Sequence, residues 1–576
     1  MSDFTVWAPG HEAVEVDLAG RRVAMVAVAA GWWHAYVDGA GAGTRYRFCV
    51  DGGPALPDPR SPWQPDGIDG PSATVDHACF PWTDRAWRGA PLASAVIYEC
   101  HVGTFSPEGT FDGAIARLDH LVDLGATAIE LLPVAEASGD RGWGYDGVLL
   151  WAPHHAYGGP TGLKRLVDAA HARGIAVVLD VVYNHLGPSG NHLAKFGPYF
   201  TDRYQTPWGE AVNFDGAGSD GVRRFVIDNA RMWLEDYHLD GLRLDAVHAI
   251  VDESALHVLE EMAVTVGDLS DHLGRQLWLI AESDRNDPRL VRSREAGGYG
   301  LAASWSDDFH HALHAVLTGE RSGYYEDFGR LSQVATALRR VYVYGRDWSP
   351  FRQRHHGRPA GELPGTRFLG YSQNHDQVGN RAVGDRTAAL MSPGRLKIAA
   401  ALVLCSPFVP MIFQGEEWGA STPFQYFTDH RDPELGQAVS EGRRREFAAF
   451  GWAADDVPDP QDPATFERSK LDWLEVGKEP HSSLLGWCRD LIALRRRHSE
   501  LTDGHLNGVQ VDCDDGSAWL CMRRGRVAVA VNLAATTREL PVAAGELALA
   551  SEPGVDLRGA TVRLPPESVA VVISQG

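Results

Sequence analysis

The sequence predicts a multidomain α/β protein: a central (β/α)8 barrel with an N-terminal β-sandwich before it and a C-terminal β domain after it. Three observations lead there. From about residue 94, short apolar runs alternate with helical stretches, and about eight such units imply a closed parallel sheet. On either side of that region the pattern changes to short alternating strands between Gly-rich turns. At 576 residues the chain is also too long for one compact domain. The expected limits are 1–90 for the sandwich, 91–499 for the barrel with an inserted loop near 185–220, and 500–576 for the last domain.

In the first domain the strand candidates are residues 13–18, 32–37 and 46–50. A Pro-rich connector, LPDPRSPWQPDG (residues 56–67), leads out of it, since Pro blocks ladder pairing and stiffens the segment. Barrel strands are expected at 95–99, 128–132, 176–182, 241–245, 277–282, 367–371 and 409–413, with a weaker eighth near 301–305. Helical runs at 114–124, 162–173, 223–237 and 254–268 separate them. Residues 185–220, rich in Gly, Pro and aromatics, read as an inserted loop. A helix at 491–498 precedes the strands 518–522, 527–531 and 568–572 of the last domain. An open doubly wound sheet is the alternative arrangement for the centre.

Composition excludes several functions. The net charge is −23, from 53 basic and 76 acidic side chains, which disfavours nucleic-acid binding. It suits a neutral or cationic ligand. No apolar run is long enough to span a bilayer, and MSDFTVWAPG at the start carries no secretory pattern. The seven Cys lack a C-x-x-C pair and read as reduced thiols, so a cytoplasmic protein is expected. No phosphate-cradling P-loop is present. The 18 Trp suit sugar stacking as well as core packing.

The chemistry concentrates at the strand ends. GLRLDAVH (241–248) ends a short apolar run on Asp245, LIAESD places Glu282 at the next end, and GYSQNHDQVG carries Asp376. A fourth run ends in DVVYNH, Asp180 to His185. Carboxylates at the C-terminal ends of barrel strands converge on one face. Two of them across a glycosidic bond can supply the leaving-group proton and the nucleophile, and a third can push their pKa values apart. Arg243, two residues before Asp245, points to the same side of its strand and can hold that carboxylate charged.

DVVYNH, GLRLDAVH, AESD (281–284) and SQNHD (372–376) together resemble, in order and spacing, the four signature regions of the α-amylase superfamily. The resemblance covers the middle of the chain. It implies Asp245 as nucleophile, Glu282 as general acid/base and Asp376 as the group that grips sugar hydroxyls. It places His185, Arg243 and His375 around the sugar at the cleavage point, with Tyr145 of GWGYDGV as its stacking platform. The connector at 58–72 and the stretches at 281–290, 374–381, 413–430 and 457–473 resemble the trehalose-releasing branch of that superfamily.

That resemblance implies a retaining hydrolysis of the α-1,4 bond next to the terminal trehalose of maltooligosyltrehalose, in trehalose biosynthesis. It also implies a partner synthase that makes this substrate. Trp208, Asp284 and Trp418 are candidates for the trehalose side of the cleft. No metal or other cofactor is expected: the pairs His154–His155 and His355–His356 read as solvated, and no dense carboxylate cluster marks a calcium site. The acidic stretch 455–462, broken by Pro, reads as a solvated loop. Two rivals stay open, a glycogen branching enzyme with the same triad and a non-catalytic glucan-binding protein.

Overall fold

The structure is a computed structural model of the chain and describes residues 2–448, 453 and 456–575. Eight strands form the predicted closed barrel: β1 (Ile97–Cys100), β2 (Ala128–Leu131), β3 (Ala176–Val181), β4 (Gly241–Leu244), β5 (Trp278–Ala281), β6 (Ala303–Trp305), β7 (Phe368–Gly370) and β8 (Val409–Phe413). Neighbours run parallel, and β8 closes the ring against β1. The weak candidate near residue 301 is the three-residue β6, which pairs with β5 and β7.

The alternation of side chains along these strands places the site. Ile97, Ala128, Val178, Ile280 and Trp305 share one buried cluster inside the barrel. Tyr98, Ile129, Leu179, Leu242 and Leu279 belong to the larger core that packs outward on the helices. Two residues on from the interior positions, the same face carries Glu99, Glu130, Asp180 and Arg243. Charge therefore fills the barrel interior at the ends of its strands, where apolar layers would otherwise continue.

The crossovers are α1 (Leu118–Leu124), α2 (Gly159–His171), α3 (Ser219–Glu235), α4 (Val258–Leu273), α5 (Asp307–Thr318), α6 (Leu331–Arg340), α7 (Pro393–Leu404), α8 (Pro433–Ala448) and α9 (His481–Arg497). Local chemistry sets their ends. Ser392 accepts from the Arg395 amide with Pro393 in the first turn of α7, and Gly125 stops α1 at φ +97°. Between β5 and β6 the described residues hold only 3₁₀ turns, at Pro288–Leu290 and Arg294–Ala296, so one expected crossover helix is missing.

Before the barrel, strands Ser2–Trp7, Trp32–Val37 and Val26–Ala27 form one antiparallel sheet. Arg21–Ala24, Val14–Leu18, Arg45–Val50 and Ser72–Ala73 form a second, and Phe4, Val6, Val16 and Phe48 are buried. The Pro-rich connector is tied down near its start, to the first domain and to the barrel. The Tyr46 hydroxyl donates to Asp58 at 2.6 Å, and Arg60 pairs with Asp228 of α3 at 2.8 Å. After α9, a five-stranded and a three-stranded sheet bury Leu540, Val562, Ala570 and Val572 between them. Glu567 of this region pairs with Arg395 of α7 at 2.8 Å. The inserted loop contains a hairpin, Phe200–Thr206 against Gly209–Val212.

Of the paired histidines His355 is exposed as expected, and the other three are not freely solvated. His154 is buried and its Nδ1 accepts from the Ala156 amide, while His155 sits between Glu136 (2.7 Å) and Asp140 (3.0 Å). Glu136, His154 and His155 bring their ligand-type atoms within 4.8 Å of one another. Hydrogen bonding to Glu136 raises the pKa of His155 and so favours its protonated form, which competes with metal binding. His356 and His355 each bond a backbone carbonyl, of Asp284 and Arg346. Of the acidic stretch, Asp455 lies outside the described residues and Asp462 caps a helix, Pro463–Ser469. Among the described residues, no helix is long and apolar enough to cross a membrane.

Trp7 joins the first domain to α3 where Gly221 leaves room, since a Cβ there would lie 2.1 Å from the indole. Gly221→Ala should therefore cost about 1–3 kcal/mol through overpacking. Gly267→Ala, at an open position of α4, should be neutral or stabilising by up to about 1 kcal/mol. Thermal unfolding of the two variants beside the parent checks both signs.

Candidate active site

Arg243, fully buried on β4, is the hub of the site. One terminal nitrogen donates to both Asp180 oxygens, at 2.9 and 2.7 Å, and to Asp245 at 2.7 Å. The other lies 3.7 Å from Glu282, and the guanidinium stands 4.4 Å over the Trp305 ring. Register brings these groups together, because Asp180 on β3 faces Arg243 across the ladder and β5 delivers Glu282 one residue past its end. A charge buried this deeply is tolerated only with such partners.

The two carboxyls beside it have different surroundings. Asp245 accepts from Arg243 at one oxygen and from Asn184 at the other (2.8 Å), an acceptor's arrangement. Glu282 accepts from the Ala246 amide at 2.6 Å. Burial raises its pKa well above the carboxylate range, opposed by Arg243 and reinforced by the charges of Asp245, Asp307 and Asp376. The two carboxyls thus sit in unlike surroundings, the kind of difference that acid-and-nucleophile chemistry requires.

Asp376 opens the short helix His375–Gly379 after β7 and is about half exposed, 3.6 Å from His375. Asn374 caps that helix and aims the Asp376 amide inward. Tyr145 donates to Asp180 at 2.6 Å and stacks on His375, with ring centres 5.3 Å apart. His185 meets Asn184 through Nδ1 and the Tyr145 carbonyl through Nε2, at 3.0 Å for the latter. Burial lowers its pKa.

These groups line an open cleft of about 1000 Å³. Asp245, Glu282 and Asp376 face it, with Tyr145 and His185 beside them and Leu435 and Val439 of α8 on its wall. Trp208, at the tip of the inserted hairpin, is half exposed in the cleft and stacks on His185 with ring centres 4.5 Å apart. Asp284 sits beyond β5 with its carboxylate 3.4 Å from Arg352. Trp418 does not reach the cleft: it is wholly buried between His120 and Trp473, so its aromatic face serves packing.

Sequence reasoning left Asn184, Glu99 and Glu130 without roles. The signal for the two glutamates was their parity with Arg243, acids at interior positions of apolar strands, which becomes meaningful once the strands close into a barrel. Removing Arg243 tests the hub. Arg243→Met should leave two buried acids uncompensated and cost about 3–5 kcal/mol in urea unfolding. Arg243→Lys should recover only part, because a point charge cannot reach both Asp180 and Asp245 as the guanidinium does.

Comparison with known proteins agrees with this geometry. The alpha amylase catalytic domain family matches residues 65–204, and a domain of unknown function, DUF3459, matches 504–571. The malto-oligosyltrehalose trehalohydrolase of Arthrobacter ramosus is 54% identical over 92% of each chain, and that of Mycobacterium tuberculosis 51% identical over 96% of each. A 1,4-alpha-glucan branching enzyme of Vibrio parahaemolyticus is 32% identical over 54% of this chain and 46% of its own. The crystal structure of a Salmonella typhimurium chain described as a candidate alpha amylase superposes with a TM-score of 0.92 at 40% identity, covering 100% of this chain and 97% of that one. The chain belongs to the malto-oligosyltrehalose trehalohydrolases of the alpha-amylase family.

Proposed function

We infer that this chain is a glycoside hydrolase that cleaves the α-1,4 bond next to the terminal trehalose of maltooligosyltrehalose, releasing trehalose and a maltooligosaccharide. The observation that carries the reading is the pair of carboxyls on one guanidinium, Asp245 hydrogen-bonded as an acceptor and Glu282 kept as the acid. In the retaining mechanism the Asp245 oxygen attacks the anomeric carbon while Glu282 protonates the departing trehalose oxygen. Glu282, now a carboxylate, takes a proton from water, whose oxygen breaks the glycosyl–Asp245 bond and frees the glucan.

Asp376 is assigned to the sugar hydroxyls. Tyr145, His185, Arg243 and His375 form the subsite at the cleaved ring, with Trp208 and Asp284 proposed for the trehalose side. No cofactor enters these steps. The chain is further proposed to act in the cytoplasm, with a synthase that makes its substrate, and to divide at 1–90, 91–499 and 500–576. The branching reading is weaker because its relative matches only about half of the chain.

Products decide the function. Purified protein on maltotriosyltrehalose should yield trehalose and maltotriose and leave maltopentaose nearly intact. Equal cleavage of both would mean a general amylase, and longer glucans without trehalose a branching enzyme. Asp245→Asn should lower kcat by about 10⁴-fold or more with the unfolding transition preserved.

The pKa of Glu282 is raised, so the acid form persists to higher pH than in a free carboxyl and kcat/KM falls as pH rises through the shifted pKa. Glu282→Gln should abolish this alkaline limb and cost about 10²–10⁴-fold. It should retain glycosylation by maltosyl fluoride, whose leaving group needs no proton.

A further inference from the structure

One buried carboxylate outside the proposed steps touches their machinery. Glu99 of β1 is 1% exposed and accepts twice from His375, from the backbone amide at 3.0 Å and from ring Nδ1 at 2.6 Å. On the far side of that ring, Nε2 lies 2.7 Å from the Tyr145 hydroxyl oxygen. The protons can be counted from these neighbours. Tyr145 has a single hydroxyl proton and donates it to Asp180, whose two oxygens are also held by Arg243. Its oxygen can then meet Nε2 only as an acceptor, so Nε2 carries a hydrogen. Nδ1 faces an oxygen of Glu99 and carries one as well. An imidazole with both nitrogens protonated is a cation.

We propose that Glu99 is a positioning residue that holds His375 as an imidazolium and so locks the chain Glu99–His375–Tyr145–Asp180–Arg243 beneath the sugar subsite. This rests on the reading of the cleft as a glycosidase site. Each link joins a different part of the barrel: β1, the loop after β7, the loop after β2, β3 and β4. A fixed cation here balances the half-exposed Asp376, 3.6 Å away, and keeps Nε2–H on the Tyr145 hydroxyl without any change of protonation.

The surrounding charges agree with the proton count. Burial depresses the His375 pKa and Arg243 acts in the same sense, but Glu99 and Asp376 outweigh them and raise it to about 9. The imidazolium is therefore present below that value and lost above it. Two further groups lie near the ring, and burial drives both toward their neutral forms. Glu130, opposite Glu99 in register, is pushed well above the carboxylate range by burial and by Glu99, and His101 is lowered by burial to about 4.

Nitrogen NMR of protein labelled at histidine reads the state directly, with the His375 resonances identified by their loss in His375→Asn. At pH 7.5 both ring nitrogens should show imidazolium shifts. In Glu99→Gln the ring should titrate about 1–3 pH units lower. Glu130→Gln, at a carboxyl whose neutral form burial favours and which makes no hydrogen bond to His375, should leave the ring unchanged.

With maltotriosyltrehalose, Glu99→Gln should lose at least about 10-fold in kcat/KM, and more at pH 8.5 than at pH 6, where the ring is still charged. A neutral His375 ring in the parent at pH 7.5, or an imidazolium insensitive to Glu99→Gln, would overturn the proposal. The parent spectrum alone decides the first outcome should the variant not fold. If the ring behaves as proposed while no trehalose forms, the functional reading fails and the positioning role stands.

Discussion

A single buried guanidinium organises this molecule. Arg243 is wholly buried, so its charge must be met by protein, and the surrounding strand ends supply Asp180, Asp245 and Glu282. The dependence is mutual, because three acids this close repel one another unless a cation lies among them. The barrel can be read as the device that satisfies this cluster. Parallel strands in register bring β3, β4 and β5 side by side, and the apolar layers below exclude solvent.

Chemistry follows from asymmetry within the cluster. Asp245 is given donors at both oxygens, whereas Glu282 has one backbone amide and several acidic neighbours. Environment alone separates an acceptor from an acid, though both side chains end in a carboxyl. Around them, Tyr145, His375 and Glu99 form a second polar layer in which each donor has one acceptor. Such a layer holds rings in place for a flat sugar at little cost in mobility, since its members are already ordered before substrate arrives.

The flanking domains serve the barrel from outside. The first packs Trp7 and Arg60 against α3, which follows the inserted hairpin that carries Trp208. The last pins α7 through Glu567 and holds backbone carbonyls near residue 406 with the buried Arg524. Both contacts lie on crossover helices, so the strands that bear the site are braced without any domain entering the cleft.

The sequence by itself pointed to the barrel and to Asp245, Glu282 and Asp376 as its candidate triad. Those features are local: apolar runs of strand length recur at the spacing of a βα repeat, and three of them end on an acid, Glu99, Asp245 and Glu282. The β6 strand was faint because only three of its residues pair, and the missing crossover helix was hidden because turns there replace periodicity. Contacts between residues far apart in the chain were left to tertiary structure. Glu99 meets His375 across 276 positions, and nothing near either residue announces the other. Trp418 looked like a sugar platform beside polar residues, yet the fold buries it against Trp473. Whether an aromatic or an acid faces the cleft depends on the closure of the ring and on which helix covers which strand, and a one-dimensional pattern does not encode that packing.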